Sequence, residues 1–177
     1  MPDPSSSDLF LIECSEFPPS ARVAGFTGTE GLSQLYHLRI GVLTSGGEEI
    51  DLAKVRGFKV SLSITGGAKP MVLHGMIARI ALKHAWLGYA LYQLELVPMV
   101  WATTLSHHSR VFVDMTVPEI VEQLLKDSGI GSDYYDFQLL NDYPKRFHIG
   151  QYKESRWNCI SRLLEREGMY YFFDHSG

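Results

Sequence analysis

The feature that most constrains the fold of this chain is a change in the period of its apolar residues. Up to about Trp101, apolar and polar residues alternate in short runs separated by glycine and proline, which is typical of antiparallel β-strands. After about Leu105, apolar residues recur with the period of an amphipathic helix. The sequence therefore predicts two domains, a β-barrel over residues 1–105 and an α+β domain over residues 106–177.

Six short strands are predicted in the first domain, a number that suits a small barrel or sandwich. Residues 58–64 alternate cleanly, and a turn at Gly66 and Gly67 joins them to a strand over residues 71–83. The segment 86–88 breaks the pattern before a third strand over residues 89–97. In that strand Ala90, Tyr92, Leu94 and Leu96 are expected on one face and Gln93 and Glu95 on the other. The three earlier strands are predicted at residues 9–13, 21–27 and 36–43.

Two amphipathic helices are predicted in the second domain. The first begins at Thr116, which has capping-box spacing to Glu119, and ends before Gly129. The second begins at Ser155 and ends at Gly168. Their apolar stripes are Val117, Ile120, Val121, Leu124 and Leu125 in the first helix and Trp157, Ile160, Leu163 and Leu164 in the second.

Three further strands are predicted in the second domain, at residues 136–140, 147–152 and 169–173. The last consists of five large apolar residues in a row, so we expect it to be buried on both faces. It is followed by four residues only, and we expect the domain to be an incomplete part of a longer chain. In the first domain, Asp51 is expected to cap a helical turn ending at Gly57, and the pair His74–Gly75 to kink a strand.

No catalytic, cofactor-binding or metal-binding residues are predicted. The densest polar cluster contains His107, His108 and Asp114, but adjacent residues on a strand or helix diverge, so two neighbouring histidines rarely ligate one ion. We interpret this cluster as an exposed loop between domains. The carboxylate pairs Glu48–Glu49 and Glu165/Glu167 do not converge on one point and are expected to be solvated.

Composition and the remaining motifs exclude several further classes of protein. The net charge is -4, and neither the run 169–173 nor Tyr134–Tyr135 is interleaved with lysine or arginine, which disfavours nucleic-acid binding. The glycine pairs 46–47 and 66–67 lack the helix start of a phosphate-binding loop and are interpreted as turns. Cys14 and Cys159 are expected to be reduced thiols. The sequence has no signal-peptide pattern and no apolar run of membrane-spanning length, so we expect cytoplasmic synthesis.

A family resemblance adds what these patterns do not provide. Residues 151–173, QYKESRWNCISRLLEREGMYYFF, resemble the N-terminal hub region of VgrG, the spike protein of type VI secretion. Segments 31–36 (GLSQLY), 73–77 (LHGMI), 98–101, 109–112 and 143–146 resemble the same family in the expected order. The chain differs at Arg156, where the family often has an acidic residue, and at Cys159, where an aromatic residue is common.

The resemblance implies a phage tail-hub-like fold, in which a β-barrel and an α+β domain from each of three subunits form a ring. This homotrimer would cap a tube of stacked Hcp hexamers and be driven through a target membrane by sheath contraction. Full-length members continue into an oligonucleotide/oligosaccharide-fold domain and a trimeric β-helical needle, which often carries a PAAR tip protein and effectors. The implied role is structural, with no enzymatic activity, no cofactor and no stable membrane insertion.

Two alternatives remain open at the level of sequence. The chain is also compatible with the hub of a contractile phage tail or of an extracellular contractile injection particle. The alternative from another class is a carbohydrate-binding or enzymatic domain that uses residues such as Tyr134 or His108.

Overall fold

The computed structural model describes residues 9–65 and 71–175. Within this part of the chain, residues 9–65, 71–98 and 172–175 belong to one compact unit and residues 99–171 to a second. Residues Met99–Thr104 fall in the second unit because they form a 3-10 helix that packs against a later helix of that unit. The assignment of two domains at residue 105 stays a prediction. The predicted turn at Gly66 and Gly67 and the first eight residues lie outside the described residues.

The first unit is built on a six-stranded antiparallel sheet with the order β1-β4-β5-β6-β3-β2. The sheet curls until the rings of Phe10 in β1 and Phe26 in β2, its two edge strands, meet edge to face at 5.3 Å between centroids. The strands thus form a half-barrel, which confirms the predicted fold class of a β-barrel with an α+β region. Their bounds are β1 Phe10–Glu13, β2 Arg22–Thr29, β3 His37–Thr44, β4 Lys59–Ile64, β5 Met71–Trp86 and β6 Tyr89–Val97.

The side chains of β6 that were predicted to share one face are the ones that lie in the core of this unit. In β6, Ala90, Tyr92, Leu94 and Leu96 are buried, whereas Gln93 is half-buried on the opposite face. These side chains pack against buried residues of β3, β4 and β5. Burial of such side chains, at about 25 cal/mol per Å² of apolar surface, is the main term that stabilises the half-barrel.

The prediction of a kink at His74–Gly75 is wrong. Both residues pair regularly with β4, and the irregularities of β5 fall between Ile77 and Arg79 and between Leu82 and His84. Gly75 has a different role, because a Cβ atom at this position would overlap the carbonyl oxygen of Val97 and lie 2.9 Å from Leu96 Cδ2. The glycine permits close approach of two strands rather than a bend.

The second unit packs two helices against a two-stranded antiparallel ribbon. The ribbon consists of β7 (His107–Phe112) and β8 (Ile149–Ser155), and the helices are α1 (Val117–Lys126) and α2 (Arg156–Glu167). A short 3-10 turn, Ser132–Tyr134, lies between α1 and β8. Phe112 and Ile149 of the ribbon are buried in one cluster with the predicted stripes of both helices.

Both predicted helix caps are confirmed. Thr116 Oγ1 accepts a hydrogen bond from Glu119 N at 3.3 Å, and Glu119 Oε2 accepts one from Thr116 N at 2.7 Å. This reciprocal bonding to the backbone of Thr116 lowers the pKa of Glu119. Ser155 Oγ accepts from Asn158 N at 3.0 Å, and Gly168 ends α2 in the left-handed conformation with φ 70°.

Three local predictions are corrected by the structure. Residues 136–140 form no strand, and Leu140 is 98% exposed. Residues 169–173 also form no strand, and they are not buried on both faces, since Tyr170 and Phe172 are about two-thirds exposed. Asp51 caps a turn rather than a helix, with its Oδ1 accepting hydrogen bonds from the backbone N–H groups of Ala53 and Lys54.

Candidate assembly surface

The two neighbouring histidines do not lie in a loop, as the sequence analysis expected, but at the start of β7. His107 is exposed and His108 is half-buried, and as strand neighbours they point to opposite faces. Desolvation, together with the positive charges of Arg156 and Arg110, lowers the pKa of His108. Its Nε2 lies 2.9 Å from Ser106 Oγ. The pair therefore does not present two ligands to one ion.

In each of the two carboxylate pairs, one member accepts a hydrogen bond from a group outside the pair. Glu48 Oε2 accepts a hydrogen bond from Ser20 N at 3.3 Å, and Glu167 Oε1 accepts one from Arg146 Nη2 at 2.8 Å. Within residues 9–65 and 71–175, no group of three or more histidine, cysteine, aspartate or glutamate side chains is placed to hold a metal ion. No helix in the described part of the chain has the length and apolar character needed to cross a membrane.

The glycine pair 46–47 forms a turn, as predicted. Both glycines have positive φ, 71° and 79°, and Gly47 N donates to the carbonyl oxygen of Gly88 at 2.9 Å. Gly88 belongs to the connection between β5 and β6. The turn therefore braces the connection between β5 and β6, where the most exposed apolar residue described in the half-barrel, Leu87, lies.

The most distinctive surface of the half-barrel is the far end of the hairpin formed by β5 and β6. Strand β4 pairs with β5 only from Met71 to Met76, whereas β5 continues to Trp86 with β6 as its ladder partner. Every residue from Leu82 to Tyr89 is exposed. The part of β5 that runs past the end of β4 is here called the overhang, and β6 beside it stays paired with β3 as far as Ala90.

The overhang ends in an apolar turn, here called the hairpin tip (residues 86–89). Trp86 and Tyr89 stack at 6.0 Å between ring centroids. Between them, Leu87 and Gly88 have φ values of 44° and 80°, as expected for a two-residue hairpin turn of type I′. Glycine suits this conformation, but a leucine does not, and Leu87 is in addition 94% exposed. An apolar side chain in a strained, solvated position indicates a binding role.

A second exposed apolar surface lies on the outer side of the ribbon in the second unit. Val111, Val113 and Tyr152 are between 55% and 73% exposed, while Phe112 and Ile149 on the opposite side are buried. Neither surface was identified from the sequence. A signal for the hairpin tip was nevertheless present, because Leu87 occupies a turn position that usually carries asparagine, aspartate or glycine.

Comparison with known proteins points to one family. A model described as the phage tail baseplate hub (GPD) matches residues 29–177. The type VI secretion system spike protein VgrG1a of Pseudomonas aeruginosa is 32% identical over 169 residues, which are 94% of this chain and 26% of that protein. The chain therefore spans about a quarter of the length of this curated relative.

Two solved structures have the same fold. The E. coli c3393 protein is described as a component of the type VI secretion system with structural similarity to the T4 bacteriophage tail proteins gp27 and gp5. It matches with a TM-score of 0.80 and 26% identity, over 87% of this chain and 42% of that one. The 43 kDa tail protein of prophage MuSo2 from Shewanella oneidensis matches with a TM-score of 0.59 and 11% identity, over 90% and 50% of the two chains.

Proposed function

Because the chain belongs to the phage tail baseplate hub (GPD) family, we propose that it forms the hub of a type VI secretion spike. Three copies form a ring that caps a tube of Hcp hexamers, and sheath contraction propels the ring and the tube into a target cell. The role is mechanical and requires no catalysis, metal or cofactor. The hub assembles in the cytoplasm and leaves the cell with the tube.

The observation that carries this proposal is the family match over residues 29–177, which includes most of the half-barrel and all of the second unit. The hairpin tip supports it, because the subunit of an assembly exposes apolar residues until its partners cover them. In longer relatives of this chain, the PAAR tip protein and the effectors would attach to the downstream spike domains rather than to these residues.

We favour a secretion spike over a contractile phage tail or an extracellular injection particle. The secretion protein from Pseudomonas aeruginosa shares 32% identity with the chain, whereas the prophage tail protein shares 11% and supports the fold alone. A carbohydrate-binding or enzymatic role is disfavoured, because His108 lies at the start of β7 and Tyr134 in the 3-10 turn after α1, in two separate elements.

The proposal is tested by measuring the mass of the purified chain by light scattering over a range of concentrations, with and without Hcp hexamers. A trimer of the 20.0 kDa chain has a mass of about 60 kDa. Electron microscopy should then show one ring on the end of each tube. A chain that stays monomeric at every concentration and does not bind tube ends would contradict the proposal.

A further inference from the structure

We propose that the second unit binds a small oxyanion at the end of the ribbon that leads into α2. The site is formed by His108 and Arg110 of β7 and by Arg156, the first residue of α2. These three residues are here called the cationic cluster. Because all three lie inside one unit, the site does not depend on the proposed function.

The strand register brings the residues of the cationic cluster to one end of the ribbon. Burial alternates along β7, and His108 and Arg110 are half-buried on the side that faces the core of the unit. On the neighbouring strand, Ser155 pairs with His107 and is the last residue of β8. Arg156 follows directly, so the start of α2 lies beside the start of β7.

Two guanidinium nitrogens of the cationic cluster are buried without a hydrogen-bond partner. They are Nη2 of Arg110 and Nε of Arg156. Residues 9–65 and 71–175 contain three buried side-chain nitrogen or oxygen atoms of this kind, and these are two of the three. A buried donor without a partner is costly, and more so when it carries charge. In native proteins such a group is generally satisfied by an ordered water molecule or an ion.

Two acidic side chains lie beside the cationic cluster, and both have arginine partners. Asp127 Oδ2 accepts a hydrogen bond from Arg110 Nη1 at 2.6 Å, which leaves Nη2 of the same guanidinium unsatisfied. Glu154 lies opposite the start of β7 in the register, but its carboxylate oxygens accept from Arg162 Nη2 at 2.6 Å and from Arg162 Nε at 3.4 Å. Arg156 forms no ion pair in the part of the chain that the structure describes.

The electrostatic environment of His108 is positive. Desolvation lowers its pKa, and the charges of Arg156, Arg110 and His107 lower it further. No acidic side chain is among the groups that shift this pKa. An anion is therefore favoured over a water molecule as the partner of the two unsatisfied nitrogens, because it also offsets the surrounding positive charge.

The donors of the cationic cluster favour an oxyanion. Guanidinium groups bind carboxylate, sulfate and phosphate through N–H···O bonds whose spacing matches the oxygens of these groups. The exposed His107 and the half-buried His108 leave the cluster accessible from the end of the ribbon. Such an oxyanion is either a free tetrahedral anion or the carboxylate of an acidic side chain from another protein chain.

NMR titration of the purified chain with sulfate tests the site, because sulfate keeps its charge over the range of about pH 5 to pH 8 in which histidine titrates. The histidine rings are labelled with nitrogen-15, and the His108 signals are assigned by their loss in His108→Gln. Sodium chloride at equal ionic strength is the reference salt. The test variant is Arg156→Gln, and the matched control is Arg166→Gln, the same substitution at an exposed position near the other end of α2.

We expect sulfate, but not chloride, to shift the His108 signals to saturation and to raise the pKa of His108, because an anion stabilises the protonated imidazole. Since coupling between two ligands is reciprocal, sulfate should bind more tightly as the pH falls through this titration. Arg156→Gln should weaken sulfate binding about tenfold, because it removes a charged hydrogen-bond donor. Arg166→Gln should leave the binding unchanged.

An equal response of His108 to sulfate and chloride in the unsubstituted chain would show that the site does not exist, and this result requires no variant. Equal weakening by Arg166→Gln and Arg156→Gln would also exclude it. Sodium acetate distinguishes the two sources of the oxyanion. Saturation at lower acetate than sulfate concentration assigns the site to a carboxylate, and the reverse order assigns it to a tetrahedral anion. The light-scattering test of the trimer is independent of all these outcomes.

Discussion

The two halves of β5 belong to one strand but differ in their pairing partners and in the burial of their side chains. From Met71 to Ile77 the strand pairs with β4 as far as Met76 and with β6 from Met76 onwards, and its inward side chains Leu73 and Ile77 are buried. From Leu82 onwards it has β6 as its ladder partner, and every side chain is exposed. The first half thus contributes to the packed core, whereas the second half presents its side chains to the surface.

Folding and assembly are therefore expected to be separable along a single strand. Changes in the first half should lower the free energy of unfolding, because they remove or disturb packed atoms. Changes in the second half should leave the subunit folded and alter its association.

The largest effect is expected from Ile77→Ala compared with Leu82→Ala. Ile77 is 1% exposed and Leu82 is 47% exposed, although they lie five residues apart on one strand. Ile77→Ala should lower the free energy of unfolding by about 3 kcal/mol, because it leaves a cavity in the core. Leu82→Ala should change it by less than about 0.5 kcal/mol. Urea denaturation, monitored by tryptophan fluorescence, measures the free energy of unfolding of both variants. Equal decreases in the two variants would contradict the distinction between the two halves of β5.

A smaller loss is expected from Gly75→Ala, with Gly41→Ala as the matched control. A Cβ at position 75 would overlap the carbonyl oxygen of Val97, which is backbone and cannot rotate away. The variant should lose about 2 kcal/mol of unfolding free energy. A Cβ at position 41 would make an ordinary contact of 3.6 Å with Ala24 Cβ. Gly41→Ala should therefore be neutral or slightly stabilising by the same denaturation assay.

An unchanged stability of Gly75→Ala would show that β5 and β6 can separate slightly at this position. The first half of β5 would then be less constrained than its burial suggests, and the contrast with the overhang would weaken. A loss in Gly41→Ala equal to that in Gly75→Ala would indicate that any glycine in the sheet has this effect.

Some elements were predictable from sequence because neighbouring residues alone define their bounds and their faces. Strand β6 has the predicted bounds, residues 89–97, because strict alternation and a preceding turn define both its faces and its start. Helix α1 was predictable because Thr116 and Glu119 form a capping box next to an apolar stripe. In both cases the information lies within about ten neighbouring residues.

Elements that depend on distant partners were not predictable. Residues 169–173 contain five apolar residues in a row, yet Phe173 packs against Tyr36 at 4.9 Å between ring centroids while Phe172 stays exposed. Residues 136–140 have strand-like composition, but in the structure they lie in no ladder. Strand formation requires a hydrogen-bonding partner, and the identity of that partner is a property of the tertiary structure.

The candidate assembly surface was missed for a related reason. A sequence pattern shows that Leu87 lies in a turn, but exposure and the sign of φ are known only once the hairpin is built. The resemblance to spike proteins indicated an assembly without indicating which residues carry it.

The smallest effect on stability, and the one with opposite sign, is expected from Leu87→Asn. Asparagine tolerates the left-handed conformation that Leu87 adopts at φ 44°. The variant should therefore raise the free energy of unfolding of the subunit by about 1 kcal/mol. It should also weaken association, because it removes the most exposed apolar side chain of the hairpin tip. Thermal unfolding of the monomer and light scattering of concentrated samples measure the two effects separately.

Leu140→Asn is the matched control, since Leu140 is 98% exposed and lies outside the hairpin tip and the ribbon. It should change neither the free energy of unfolding nor the association of the subunits. A trimer that persists in Leu87→Asn would exclude the hairpin tip from the contact. A loss of both stability and association would mean that Leu87 supports the fold rather than the assembly. The two halves of β5 are separated only if Leu87→Asn raises the stability of the subunit and weakens its association. The strain at Leu87 in the free subunit would then be offset by binding energy in the assembly.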